Sequence, residues 1–93
     1  MKVLHTETYE REGNDSWLID KIQIIQEDGE LILRHKQNWT SSWADPIKGT
    51  REINLSEMFS VADMQYRLNE YMESKGLSEN MKVPNLSELI NGN

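Results

Sequence analysis

The feature that most constrains the fold is the Asp28-Gly29 pair, which lies between two strand-like segments, residues 17–26 and 30–39. A type I′ turn needs a positive φ at both central positions, and Asp followed by Gly adopts this turn readily. The pair therefore predicts a β-hairpin. Because a two-residue turn fixes the register, residues whose numbers sum to 57 should face each other.

This register brings Ile24 opposite Leu33 and Ile22 opposite His35, which indicates a core face. We expect a four-residue loop over residues 12–15 to place a first strand, residues 2–11, beside the second, with paired numbers summing to 27. One face of the sheet then consists of Val3, His5, Glu7, Tyr9, Leu18, Asp20, Ile22, Ile24, Leu33, His35, Gln37 and Trp39. This face is mostly apolar and is crossed by a band of polar side chains.

A long polar loop over residues 38–49 and a short strand over residues 50–55 should follow. Two capping signals come next, each with a side-chain acceptor three residues before a carboxylate. They are Asn54 with Glu57 and Ser60 with Asp63. Apolar residues then recur at helical spacing, and the stripe consists of Val61, Met64, Leu68, Tyr71 and Met72.

Gly76 suits the position just after a helix C-terminus. The sequence thus predicts a single α+β domain over residues 1–93. An antiparallel three- to four-stranded meander at about residues 2–55 precedes one amphipathic helix at about 57–75 and a short C-terminal helix at about 85–91.

Composition excludes several classes of protein. The formal net charge is −6 and no basic patch is present, so direct binding to a nucleic-acid backbone is disfavoured. There is no cysteine, which excludes disulfides and thiolate metal sites. No apolar run reaches membrane-spanning length, so we expect no membrane association and a cytoplasmic location.

Catalytic and cofactor motifs are not found. The sequence has no Gly-x-Ser-x-Gly elbow, glycine-rich phosphate loop, EF-hand loop or His-Glu-x-x-His motif, so we expect neither an enzyme nor a bound cofactor. The histidine constellation is His5, Glu7, Asp20 and His35, which the register places on one face. These residues are candidates for a metal or ligand site, although the histidines lie two strands apart and a structural role is favoured.

Tryptophan is the residue type most enriched at interface hot spots, and this short chain has three. Trp17 and Trp39 are expected to pack under the helix. Trp43 has no periodic partner, so we expect it to be exposed. The predicted partner-binding residues are therefore Trp43 and its neighbours Trp39, Asp45 and Ile47.

These observations favour a small non-catalytic protein-binding module, such as an accessory, inhibitor or adaptor protein. A phage or mobile-element antagonist of a host system would have this general character. Its partner would be another protein, and a basic one suits the charge.

One alternative is a metal- or ligand-responsive domain that uses the histidine constellation. Another is an acidic nucleic-acid mimic, with acids at residues 12–15 and 27–30, that occupies a basic groove. An unprotected strand at 2–11 or 50–55 could also form a homodimer.

Overall fold

The computed structural model describes residues 1–91 and shows an α+β architecture. Four antiparallel strands form a meander in the order β1-β2-β3-β4 and precede the helices, which confirms the predicted fold class. The elements are β1 (Lys2–Gly13), β2 (Ser16–Glu27), β3 (Glu30–Ser41), β4 (Ile47–Asn54), a 3-10 turn (Leu55–Glu57), α1 (Val61–Ser74), a second 3-10 turn (Leu77–Glu79) and α2 (Leu86–Asn91). Residues 92 and 93, which the predicted domain includes, lie outside the described residues.

The central hairpin has the predicted register. Asp28 and Gly29 both have positive φ, 53° and 79°, as a type I′ turn requires. The pairs Leu18–Trp39, Asp20–Gln37, Ile22–His35 and Ile24–Leu33 face each other along β2 and β3. The turn chemistry therefore determined which side chains share a face.

The first hairpin differs from the prediction. Gly13 faces Ser16, so the turn contains two residues and Asp15 takes a positive φ of 57°. The predicted pairing sum of 27 is wrong; Tyr9 faces Asp20. A shift of two residues preserves the alternation of side chains between faces, so His5, Glu7 and Tyr9 remain on the predicted face.

Val3 is the exception on this face. The register shifts between Val3 and His5, and Val3 then faces Ile25 on the opposite side of the sheet. A bulge of this kind adds one residue to one strand and so reverses the orientation of the residues beyond it. Val3 is consequently exposed, and Leu4 packs against the core instead.

Helix α1 begins later than predicted because both capping signals are used. Asn54 Oδ1 accepts from the Ser56 amide at 2.9 Å and caps the first 3-10 turn. Ser60 Oγ then accepts from the Asp63 amide at 3.1 Å at the start of α1. Gly76, with a φ of 69°, follows the end of the helix, in the left-handed conformation that glycine adopts without steric cost.

The helix layer covers one half of the sheet. Leu68, Tyr71 and Met72 of α1 are buried against a cluster that includes Ile22, Ile24, Leu31 and Leu33. Val61, at the start of the predicted stripe, is exposed. A 14-residue helix spans about 21 Å, whereas 12-residue strands span about 40 Å. The sheet therefore extends well beyond the helix.

We call the uncovered half, residues 10–19 and 38–48, the tryptophan end of the sheet. None of its residues is classed as buried, in contrast to the helix-covered half. β1 and β4 form the two edges of the sheet. Within residues 1–91, no helix is long and apolar enough to cross a membrane.

Candidate functional site

All three tryptophans lie at the tryptophan end. Trp17 faces Thr40 across β2 and β3, and Trp39 faces Ile47 across β3 and β4. Trp43 lies in the five-residue loop 42–46 that joins β3 to β4. Folding thus collects these aromatic side chains where no helix covers them.

The predicted partner-binding residues come together on this half of the sheet. The Trp39 and Trp43 rings pack edge to face, with centroids 5.5 Å apart and planes at 73°. Trp43 is 70% exposed and Ile47 is 61% exposed. Asp45 is exposed in the same loop. We call Trp39, Trp43, Asp45 and Ile47 the aromatic patch.

The loop that carries Trp43 is shorter than the predicted segment 38–49, since β3 continues to Ser41 and β4 begins at Ile47. The Ser42 amide donates to the Asp15 carbonyl at 3.0 Å, which ties the loop to the first hairpin turn. The Ala44 amide donates to Ser41 Oγ, also at 3.0 Å. These bonds hold the loop on the end of the sheet.

The expectation that Trp17 and Trp39 pack under the helix is wrong. Trp17 lies on the face opposite the helix, is 45% exposed, and donates from Nε1 to Glu12 Oε1 at 3.0 Å. Alternation along β2 requires this, because Leu18 shares the face of the core residues. Trp39 is on the helix-covered face but lies beyond α1, so it packs against Trp43.

The polar band separates into two groups. His35 Nε2 lies 2.8 Å from Asp20 Oδ1, and His35 Nδ1 lies 2.8 Å from the Tyr71 hydroxyl. All three residues of this chain are buried. The second group is His5 with Glu7, whose Nε2 and Oε1 atoms are 3.5 Å apart. That histidine nitrogen is buried and makes no hydrogen bond within residues 1–91.

The direction of the bonds in the buried chain follows from its chemistry. A carboxylate oxygen accepts, so His35 donates from Nε2 to Asp20. His35 Nδ1 then accepts, and Tyr71 donates its hydroxyl proton. Burial raises the pKa of the Tyr71 phenol, and the nearby Arg51 guanidinium opposes that shift. All three side chains are buried and bonded to one another, which suits a structural hydrogen-bond network.

The metal-site candidates do not converge. Within the part of the chain that the structure describes, no group of three or more His, Cys, Asp or Glu side chains could hold a metal ion. His35 has both ring nitrogens engaged, by Asp20 and by Tyr71. The four predicted candidates therefore form two separate pairs.

The two acidic clusters also lie apart. The turns at residues 14–15 and 28–29 stand at opposite ends of the 12-residue strand β2, a separation of about 40 Å. Arg34 of the intervening sheet forms an ion pair with Glu52. The fold therefore does not combine these acids into one continuous array.

Sequence reasoning missed several exposed apolar side chains, among them Phe59 and Ile19. Phe59, in the bend before α1, is fully exposed, and Ile19 is exposed on the outer face of β2. The position of Phe59 between the two capping signals, outside the helical stripe, could have revealed it. Alternation along β2 could have revealed Ile19, because Leu18 and Asp20 face the other way.

Comparison of this chain with protein-family models, with curated proteins and with solved structures gave no match.

Proposed function

We propose that this chain is a small non-catalytic protein-binding module and that the aromatic patch docks a partner protein. The observation that carries this proposal is the 70% exposure of Trp43, which packs on Trp39 and stands beside the exposed Ile47. Clustered exposed apolar side chains mark interaction surfaces more often than isolated ones do. Tryptophan at such a position is a typical hot-spot residue.

The hydrogen bonds of the 42–46 loop support the proposal. Ordering side chains and loops on association costs free energy, so a surface that is already held in place binds more tightly than a mobile one. Ser42 is bonded to Asp15, and Ala44 is bonded to Ser41. The Trp43 ring is further restrained by its contact with Trp39.

Local charge favours a basic partner. The tryptophan end contains four acids and two bases, namely Glu10, Glu12, Asp15 and Asp45 against Arg11 and Lys48. Opposite charge on the partner would accelerate association and fix orientation. This contribution weakens with salt, because exposed charges are screened.

The Asp20–His35–Tyr71 chain supports a non-catalytic role, since its three side chains are buried and hydrogen-bonded to one another. Accessory, inhibitor and adaptor proteins are the classes we propose, including antagonists of a host system encoded by phages or mobile elements. The cytoplasmic location belongs to the same proposal. A homodimer would use β1 or β4, the two edge strands.

The test is affinity capture from native or host cells with three baits: wild type, Trp43→Ala and Phe59→Ala. Phe59 is a matched control because it is an exposed aromatic residue that lies far along the chain from the aromatic patch. We expect Trp43→Ala to lose the partner that wild type and Phe59→Ala both capture. Truncating a hot-spot residue costs 2 kcal/mol or more, roughly a thirtyfold loss of affinity.

Thermal melting of the same variants separates binding from folding. Exposed substitutions usually change stability by less than about 0.5 kcal/mol, so Trp43→Ala should melt close to the wild-type temperature. An unfolded Trp43→Ala variant would show that Trp43 is part of the core. If Trp43→Ala still captured the partner and Phe59→Ala did not, the interface would lie on the helix-covered half instead.

A further inference from the structure

A cleft bordered by two cationic side chains lies between the β3–β4 ladder and the C-terminal end of α1. Its volume is about 240 Å³. The side chains that matter for its chemistry are His35, Gln37, Arg51, Tyr71 and Lys75. His35 and Arg51 face each other across the two strands, while Tyr71 and Lys75 approach from the helix side. The cleft therefore has polar walls on both layers of the fold.

Among the described residues, no acidic side chain lines this cleft, although the chain has 16 acids and 10 Lys or Arg residues. Within residues 1–91, neither Arg51 nor Lys75 forms an ion pair, whereas Arg34 on the other face of the sheet is paired with Glu52. The Lys75 ammonium lies 5.9 Å from the centroid of the Tyr71 ring. Two cations without acidic partners thus border one concavity in an acidic protein.

The buried chain behind the cleft contains one carboxylate, that of Asp20, to which His35 Nε2 donates. Asp20 itself is buried and does not line the cleft. The direct contacts of an entering anion would therefore be with Arg51, Lys75 and polar side chains other than carboxylates.

Volume limits the size of the ligand. Pockets that enclose drug-sized molecules start at about 300 Å³. The cleft thus suits an ion or the terminal group of a larger molecule.

We propose that this cleft binds a small oxyanion, a carboxylate or a phosphate group, between Arg51 and Lys75. The planar guanidinium of Arg51 can donate two parallel hydrogen bonds to two oxygens of either group. Lys75 adds a second positive charge from the helix side. The side-chain amide of Gln37 supplies a further donor. This site is independent of the aromatic patch, because Arg51 lies four residues along β4 from Ile47, about 13 Å away.

The test is an amide chemical-shift titration of the ¹⁵N-labelled protein with sodium phosphate and, separately, with sodium acetate. Sodium chloride keeps the ionic strength constant, so general screening does not contribute. Arg51→Gln and Lys75→Gln remove one cation each from exposed positions. Lys48→Gln is the matched control, because Lys48 is an exposed cation of β4 that points to the opposite face.

We expect saturable shifts at residues 49–51, 71, 75 and 77 with at least one of the two anions. Saturation by phosphate alone identifies a phosphate site, and saturation by acetate alone identifies a carboxylate site. Arg51→Gln and Lys75→Gln should each weaken binding about tenfold or more, the usual effect of losing a charged hydrogen bond, while Lys48→Gln binds as wild type does.

Shifts that do not saturate with either anion, or an unchanged affinity in both cleft variants, would overturn the proposal. Should one cleft variant unfold, the other decides the outcome.

Discussion

Replacing Tyr71 with phenylalanine removes one hydroxyl from the buried chain and keeps the aromatic ring. The ring contact with His35, with centroids 5.8 Å apart, is retained. His35 Nδ1 loses its only partner among the described residues, the Tyr71 hydroxyl at 2.8 Å. A buried polar atom left without a hydrogen bond costs about 1–3 kcal/mol. In a domain of this size each kcal/mol lowers Tm by roughly 4–8 °C.

The same substitution changes how the free energy of unfolding depends on pH in the alkaline range. Burial raises the pKa of Tyr71 above the ordinary tyrosine value of about 10. The folded protein therefore holds this proton more tightly than the unfolded chain does. The contribution of Tyr71 to the free energy of unfolding is fully present below the pKa of tyrosine in the unfolded chain. It is lost as the pH rises through the raised pKa of the folded protein. Tyr71→Phe lacks this alkaline loss, so its stability should fall less steeply than that of wild type.

Urea unfolding monitored by circular dichroism at pH 7 and at steps from pH 8 to 11 measures both effects. Tyr66→Phe is the matched control, because Tyr66 lies on the same helix and is exposed, and the hydroxyl bonded to His35 is that of Tyr71. We expect this control to follow the wild-type curve throughout. Equal unfolding free energies for Tyr71→Phe and wild type at pH 7 would refute the buried hydrogen bond. An equally steep alkaline loss in both would refute the tight retention of the proton by Tyr71.

Two further predictions concern the local signals that shape the fold. Ser60→Ala removes the acceptor of the Asp63 amide and should lower the unfolding free energy by about 1 kcal/mol, measured by urea unfolding; an unchanged midpoint would mean that water replaces the cap. Gly29→Ala places a Cβ at a φ of 79° and should lower Tm by an amount equivalent to about 1 kcal/mol, whereas Gly49→Ala, where no positive φ occurs and no atom is close, should not. Equal melting of the two glycine variants would exclude turn strain as the cause.

Local chemistry was sufficient to predict the central hairpin. Asp28 and Gly29 have few alternatives to a two-residue turn, and that turn determines every pair along β2 and β3. The capping side chains of Asn54 and Ser60 also acted as predicted. In each case the decisive contact lies within a few residues along the chain.

The first hairpin and the buried chain could not be predicted in the same way. Asn14 and Asp15 suit a two-residue turn and a longer loop alike, since both residues tolerate positive φ. The bulge near Val3 has no local glycine to indicate it. The Tyr71 hydroxyl reaches His35 only because α1 packs over β3, and the amphipathic pattern does not specify where along the sheet the helix lies.

The placement of α1 has a consequence for how the strands open. Backbone hydrogen bonds beneath the helix, near Ile22 and Leu33, are broken only when the core itself is disrupted, whereas those near Leu18 and Trp39 lack a covering layer. Local opening therefore starts at the tryptophan end and stops where α1 begins to cover the strands. A protein that docked on the aromatic patch would act as a second layer, and the cooperative unit of the sheet would then extend along the full length of β2 and β3.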